Sequence, residues 1–239
     1  MAPCTGRSRL PDSVQTGPHD HLAALIARRA RGEFRKPVAA FSVAAFASFS
    51  RTCDPARALI VDSCCGVGES TRHLAERFAD HFVLGVDQSS DRLSRAPALP
   101  GNAMLLRADM TDIWLLLQRH ACRPARQYML YPNPWPKIGQ LARRWPAHPV
   151  FPVVLELGGI IECRSNWRIY VEEFALAARL IAGLEAGVEN FTTGAPMTPF
   201  ERKYLASGHA LYRCLLNAGA ASCAGGGRAM PPDRSPGPQ

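Results

Sequence analysis

Five short apolar runs, each followed by a turn and four of them by a helical pattern, constrain this chain more than any other feature. ALIVDS (58–63), FVLGVDQ (82–88), AMLLRAD (103–109), QYMLYPN (127–133) and GGIIECR (158–164) read as strands. Between and after them come ESTRHLAERFAD, SSDRLSRA, TDIWLLLQRH and WRIYVEEFALAARLIAGL, whose apolar residues recur at helical spacing. Strands that are apolar on both faces belong to a sheet covered on both sides, and β-then-α repetition makes it mostly parallel. The expected fold class is therefore α/β, an open doubly wound sheet. Such a sheet binds its ligands at the carboxyl ends of its strands.

Three regions follow from this pattern. Residues 1–50 form a basic, helical N-terminal extension in which HLAALIARRARGEF and VAAFSVAAFASF are expected helices. Residues 51–216 hold the α/β body, and 217–239 form a Gly/Pro/Ala-rich tail with no periodicity, expected to be disordered. The acid-poor first eleven residues also suit a transit peptide. The formal charge of +8 comes from 25 Arg and 3 Lys, which favours a polyanionic partner. Eight cysteines stand without a C-x-x-C or a Cys/His cluster of metal-ligand spacing, so thiols in a reducing cytoplasm and no metal are expected. No apolar run approaches 18 residues, which argues against a membrane span.

The polar residues gather at strand ends. The first strand runs into Asp62 and then SCCGVGE, where Gly66 and Gly68 allow a tight turn and close approach of a ligand to the backbone. Asp87 closes the second strand, 19 residues beyond Gly68, where a carboxylate can accept ribose hydroxyls. Asp109 and Asn133 close the third and fourth. The missing third glycine and Glu69 at the helix start disfavour a dinucleotide pyrophosphate. An acidic rim suits a cationic ligand with a ribose, and S-adenosylmethionine carries a sulfonium, an amino group and a ribose diol.

After the fourth strand comes Tyr131-Pro132-Asn133-Pro134-Trp135-Pro136-Lys137. Three prolines deny this segment both ladder and helix, leaving a stiff loop that presents an amide, an indole and an ammonium.

DSCCGVGES, GVDQSSDRL, LRAD, YPNPWPK, RRW, RSNW-R-IY-V-EEF and TPFERKY, in this order over roughly residues 14–215, resemble the bacterial tRNA (guanine-N7-)-methyltransferase family. The resemblance implies a Rossmann-like methyltransferase fold that uses S-adenosylmethionine to methylate a guanine of the tRNA variable loop (position 46) on N7. It implies cofactor binding by Asp62, Asp87, Asp109 and Asn133; the tight turn adds Gly66 and Gly68, and the stiff loop puts Asn133 and Trp135 at the chemistry. Substrate contacts would fall on Lys137, Arg143, Arg144, Asn166, Thr198, Pro199, Phe200 and Glu201. The partner implied is tRNA, with no DNA, membrane or metal, and a monomer is favoured. Cys64 stands where the family has the first glycine of its turn, and Asn133 and Asn166 stand where it has aspartates.

Guanine N7 has a free lone pair and no proton, so its attack on a sulfonium methyl needs placement rather than a base; placement can supply ~7–11 kcal/mol. Trp135 offers a face for stacking or for a cation–π contact, on the order of 0.5–2 kcal/mol. Phosphate contacts are expected from Lys137, Arg143, Arg144 and the segment Arg28-Arg29-Arg31-Arg35-Lys36. Asn-Pro-Trp after a fourth strand also resembles the motif of amino-group N-methyltransferases. A non-catalytic RNA-binding relative is the reading from a different class. His73, His81, His120, His148 and His209 are expected at the surface or in packing.

Overall fold

The computed structural model describes residues 8–29 and 34–219. Their sheet has seven strands in the order β3-β2-β1-β4-β5-β7-β6. The strands are β1 (Leu59–Ser63), β2 (Phe82–Asp87), β3 (Ala103–Arg107), β4 (Arg126–Leu130), β5 (Ile160–Ser165), β6 (Val188–Phe191) and β7 (Leu211–Asn217). Strands β1 to β5 are parallel, β7 runs antiparallel to β5, and β6 runs antiparallel to β7. The helices are α1 (Leu22–Arg29), α2 (Ala40–Thr52), α3 (Glu69–Arg77), α4 (Ser90–Leu93), α5 (Met110–Arg119), α6 (Phe151–Leu157), α7 (Arg168–Ala182) and α8 (Pro199–Ala206).

Alternate strand residues divide into two cores. Leu59, Val61, Leu84, Val86 and Ile161 meet α1, α2, α5, α6 and α7 in the larger one. Ile60, Val83, Tyr128 and Leu130 meet α3 and the inner side of α8 in the smaller. This two-sided burial is why the central strands read as unbroken apolar runs. The N-terminal helices, expected as an extension, bury Leu22, Ile26, Phe46 and Phe49 in the larger core.

Several boundaries differ from the expectation. Strand β3 ends at Arg107, and Asp109 is instead the N-cap of α5, accepting from the Thr111 N–H at 2.9 Å. Strand β4 ends at Leu130, three residues before Asn133, because Tyr131 turns left-handed (φ 54°) and Pro132 has no N–H to donate. Asn217 closes β7, so the expected tail starts inside the sheet; its residues 220–239 lie outside the described residues, as do Arg31 and residues 1–7.

The register pairs Asp62 of β1 with Gly85 of β2 at the carboxyl edge. A Cβ at Gly85 would lie 2.2 Å from Thr71 Oγ1 and 2.6 Å from Leu105 Cδ2. Gly85→Ala is therefore expected to cost ~1–3 kcal/mol through overpacking. The measurement is urea unfolding, with a lower midpoint at unchanged slope; a midpoint equal to the parent's would refute the close-packing argument.

Candidate active site

The turn after β1 is built by its own backbone and by two carboxylates. Cys64, Gly66 and Gly68 all have left-handed φ (58°, 63° and 74°). The position where the family resemblance expects glycine thus has the conformation glycine favours, carried here by a cysteine. The Cys65 N–H donates to the Val86 carbonyl at 2.9 Å, and the Gly68 N–H to the Cys65 carbonyl at 3.0 Å. Asp87 Oδ2 accepts from the Gly66 N–H (2.9 Å) and Oδ1 from the Ser89 N–H (2.9 Å), so one carboxylate fixes both the turn and the entry to α4. Asp62 Oδ2 accepts from Ser70 and Thr71 hydroxyls, each at 2.7 Å, tying β1 to the first turn of α3.

Asp62 is buried, and desolvation pushes its pKa up to about 6 against the pull of those two hydroxyls, with the charge on Asp87 adding to the rise. Asp109 is engaged from two sides: Oδ1 caps α5 and Oδ2 pairs with Lys36 Nζ at 2.7 Å, while Lys36 also meets Asp112 at 2.8 Å. Burial works against the Lys36 ammonium, but hydrogen bonds to Asp109 and Asp112 hold its pKa above the ordinary lysine range.

The loop opposite carries two left-handed residues, Tyr131 and Trp135 (φ 54° and 46°), each directly before a proline. Such backbone costs on the order of 1–3 kcal/mol per residue and persists only where surroundings over-determine it. Asn133 is exposed, and its Oδ1 accepts from the Trp135 N–H at 3.3 Å. Trp135 is half-buried with the Arg143 guanidinium 4.7 Å over its ring. Lys137 is exposed just beyond.

Helix α8 supplies the third wall. Thr198 is its N-cap, accepting from the Glu201 N–H at 3.0 Å, and Pro199 sits in the first turn. Phe200 is 49% exposed and stacks on Tyr204, which stacks in turn on His209.

These walls enclose one cavity of about 650 Å³. Of the expected residues it brings together Asp62, Gly66, Asn133, Trp135, Arg143, Thr198, Pro199 and Phe200. Gly68, Asp87, Asp109 and Lys137 are not among its lining residues. Two expected substrate contacts are corrected. Arg144 and Glu201 are both 0% exposed, so neither can meet a phosphate or a base from solution. Arg144 is held by Glu173 at 2.5 Å, and Glu201 accepts from the Tyr131 hydroxyl at 2.7 Å and from Arg164 at 2.9 Å. Asn166 is also buried, its Nδ2 beside His209 Nδ1 at 3.1 Å, and His209 Nε2 meets the Ser8 carbonyl at 3.0 Å.

Sequence reasoning missed Arg92, Arg95, Tyr131, Tyr204 and Trp145 in the lining. Arg92 carried a readable signal, five residues beyond Asp87 on the following helix; its guanidinium lies 3.6 Å from that carboxylate.

The donor set fits S-adenosylmethionine. A buried carboxylate with a raised pKa faces the cavity, and a second stands beside the glycine turn. Gly66 leaves its Cα side open, since a Cβ there would meet nothing within 4 Å. Ionised Asp62 attracts a cation and protonated Asp62 does not. With a pKa of about 6 in the free protein, cofactor affinity is expected to fall as pH drops through that value, approaching tenfold per pH unit below it. Titration calorimetry at pH 5 and pH 7.5 measures this, with Asp62→Asn expected to flatten the dependence. A flat profile in the parent protein would remove Asp62 from the cofactor site.

Among the described residues no group of three or more His, Cys, Asp or Glu gathers to hold a metal, and no helix is long and apolar enough to cross a membrane. The fold is similar to that of a 16S rRNA methyltransferase, KamB (TM-score 0.52, 17% identity, 77% of this chain and 97% of that one). It is also similar to an antibiotic-related methyltransferase (TM-score 0.51, 13% identity, 76% and 96% covered). In sequence, the chain is 30% identical over 164 residues to a tRNA (guanine-N(7)-)-methyltransferase of Nocardioides sp., covering 64% of each chain. It is 25% identical over 174 residues to the protein of that name from Cupriavidus necator, covering 65% of this chain and 64% of that one. The match thus spans just under two thirds of those relatives' length. A family model described as "Putative methyltransferase" matches residues 56–214, which include the glycine turn, the proline loop and the start of α8. The chain belongs to that methyltransferase family.

Proposed function

We propose that this methyltransferase transfers a methyl group from S-adenosylmethionine to N7 of a guanine in tRNA, in the variable loop. The observation that carries the reading is the single cavity shared by the glycine turn with Asp62, the Asn133–Trp135 loop and the aromatic face of α8. The cofactor supplies an electrophilic methyl on a sulfonium when bound. The residues of the chain have the task of holding a flat base in line with it, and N7 requires no proton to be removed.

The cavity lining matches that task. Trp135, backed by Arg143, and Phe200, backed by Tyr204, offer two aromatic faces for a base that has left its stack. The Tyr131 hydroxyl is no proton shuttle: burial first, then the Glu201 carboxylate it donates to, pushes its pKa well above the ordinary tyrosine range. Asn133 discriminates between bases. Its Oδ1 is turned back onto the Trp135 N–H, so its Nδ2 donors remain for a ligand. The major-groove edge of guanine presents two acceptors, O6 and N7, and a donor on O6 leaves the N7 lone pair for the methyl. An exocyclic amino group would need an acceptor at that point, which ranks the amino-group reading second. Similarity to two enzymes named for guanine N7 supports the same choice.

The test is incubation of the protein with methyl-labelled cofactor and unmodified tRNA, followed by digestion to nucleosides. Label in 7-methylguanosine, mapped by chain cleavage at the modified base to the variable loop, is the expected result. Label on an amino group would replace this reading with the second one. Cofactor binding without label in the tRNA would refute the guanine N7 reading.

A further inference from the structure

The proline loop is held from below by groups that do not line the cavity. Trp135, left-handed and followed by proline, presents its carbonyl inward. There Arg144 grips it twice, from Nε at 3.0 Å and Nη2 at 2.9 Å. The same guanidinium donates from Nη1 to Glu173 Oε1 on α7 at 2.5 Å and from Nη2 to Gln15 Oε1 at 2.7 Å, and lies 4.8 Å over the Trp167 ring. Glu173 Oε1 also accepts from the His19 N–H at 3.0 Å, and Ser13 Oγ donates to the Pro136 carbonyl at 2.8 Å. The N-terminal segment therefore runs along the loop and closes the cluster around Arg144.

We infer that Arg144 and Glu173 are positioning residues for methyl transfer, which fix the Trp135 backbone and, through the Asn133–Trp135 hydrogen bond, the Asn133 amide. The inference rests on the methyl-transfer reading of the cavity. Stability alone is a poor reason for this pair: a buried ion pair is often replaceable by apolar side chains of similar volume without loss. The Trp135 carbonyl is instead fixed in direction by two N–H donors of one rigid planar fork, a geometry that a guanidinium supplies. The second strained residue is treated alike. Tyr131 donates its N–H to the Arg164 carbonyl at 2.9 Å and its hydroxyl to Glu201, itself paired with Arg164.

The test uses the full chain with the volume-matched double substitution Arg144→Met and Glu173→Leu, and separately Gln15→Ala. The first removes the fork without stranding a charge; the second leaves the pair and removes one strut. Digestion of the native protein by a lysine-specific protease reads the loop independently of activity. Of the three lysines, Lys36 precedes Pro37 and resists cleavage, which leaves Lys137 at the end of the loop and Lys203 on α8 as reporters.

Expected are a kcat reduced about 30-fold in the double variant with both KM values within about threefold, and cleavage after Lys137 about tenfold faster. Cleavage after Lys203 should stay at the parent rate. Gln15→Ala should give the same pattern at about threefold. Parent kcat and parent cleavage after Lys137 in a folded double variant, or in Gln15→Ala, would overturn the inference. Equal acceleration after Lys137 and Lys203 in Gln15→Ala would overturn it too, since that is general loosening. If the parent protein methylates no RNA, the functional reading fails, and the cleavage pattern still decides whether the pair holds the loop.

Discussion

Replacing Glu201 by alanine is expected to cost the fold about 3–5 kcal/mol, the penalty for removing one partner of a buried ion pair. Its Oε1 accepts from the Tyr131 hydroxyl at 2.7 Å and from Arg164 Nη1 at 2.9 Å, and its Oε2 accepts from the Met197 N–H at 2.6 Å. The variant leaves three donors without that acceptor, two of them buried, and Arg164, whose side chain is 4% exposed, keeps one carboxylate partner, Glu162 at 2.6 Å. A guanidinium keeps its proton in a folded protein, so the group cannot escape by becoming neutral. Glu201→Gln should be milder, because one acceptor survives while the new amide faces the Met197 N–H, donor against donor. Urea unfolding of the three proteins measures the order. A loss below ~1 kcal/mol in the alanine variant would mean that water replaces the carboxylate, and the side chain would then be open to a substrate after all.

That result bears on how a sequence motif is to be read. The T-P-F-E segment marks a place where residue identity matters, and the expectation assigned Thr198, Pro199, Phe200 and Glu201 alike to substrate. The structure divides them: Phe200 faces the cavity, while Glu201, one residue on, points into the protein and holds Tyr131. Helical geometry turns adjacent residues by about 100°, and nothing in the segment says which of them points outward. Arg143 and Arg144 divide in the same way, one over the Trp135 ring and the other beneath its carbonyl. The central sheet was legible because burial on both faces writes itself as an apolar run. Strand β6, four residues with two exposed, and β7, antiparallel and mixed in character, carry no such mark. Helix α6, seven residues and nearly all apolar, resembles a buried strand in length and composition.

Asp87→Ala is expected to weaken cofactor binding by roughly 100-fold while leaving the KM for RNA within about threefold. The carboxylate holds the Gly66 N–H and the Ser89 N–H at 2.9 Å each, so its loss affects the shape of the turn before any ligand arrives. A hydrogen bond to a charged group contributes ~1.5–3 kcal/mol, and ~1.4 kcal/mol corresponds to a factor of ten in affinity. If Asp87 accepts from a ribose hydroxyl as proposed, the loss of that bond together with one to the turn reaches two decades. Calorimetric titration with cofactor gives the affinity, and initial rates over a range of RNA concentrations give the other constant. The contrast with the Trp135 loop is what makes the comparison informative. The Asp87 change acts on the side of the cavity built by β1 and β2, and the opposite loop is held by Arg144, Glu173 and Glu201. Equal losses for cofactor and RNA would mean that the two walls of the cavity are mechanically one, and the assignment of Asp87 to the ribose would have to be withdrawn.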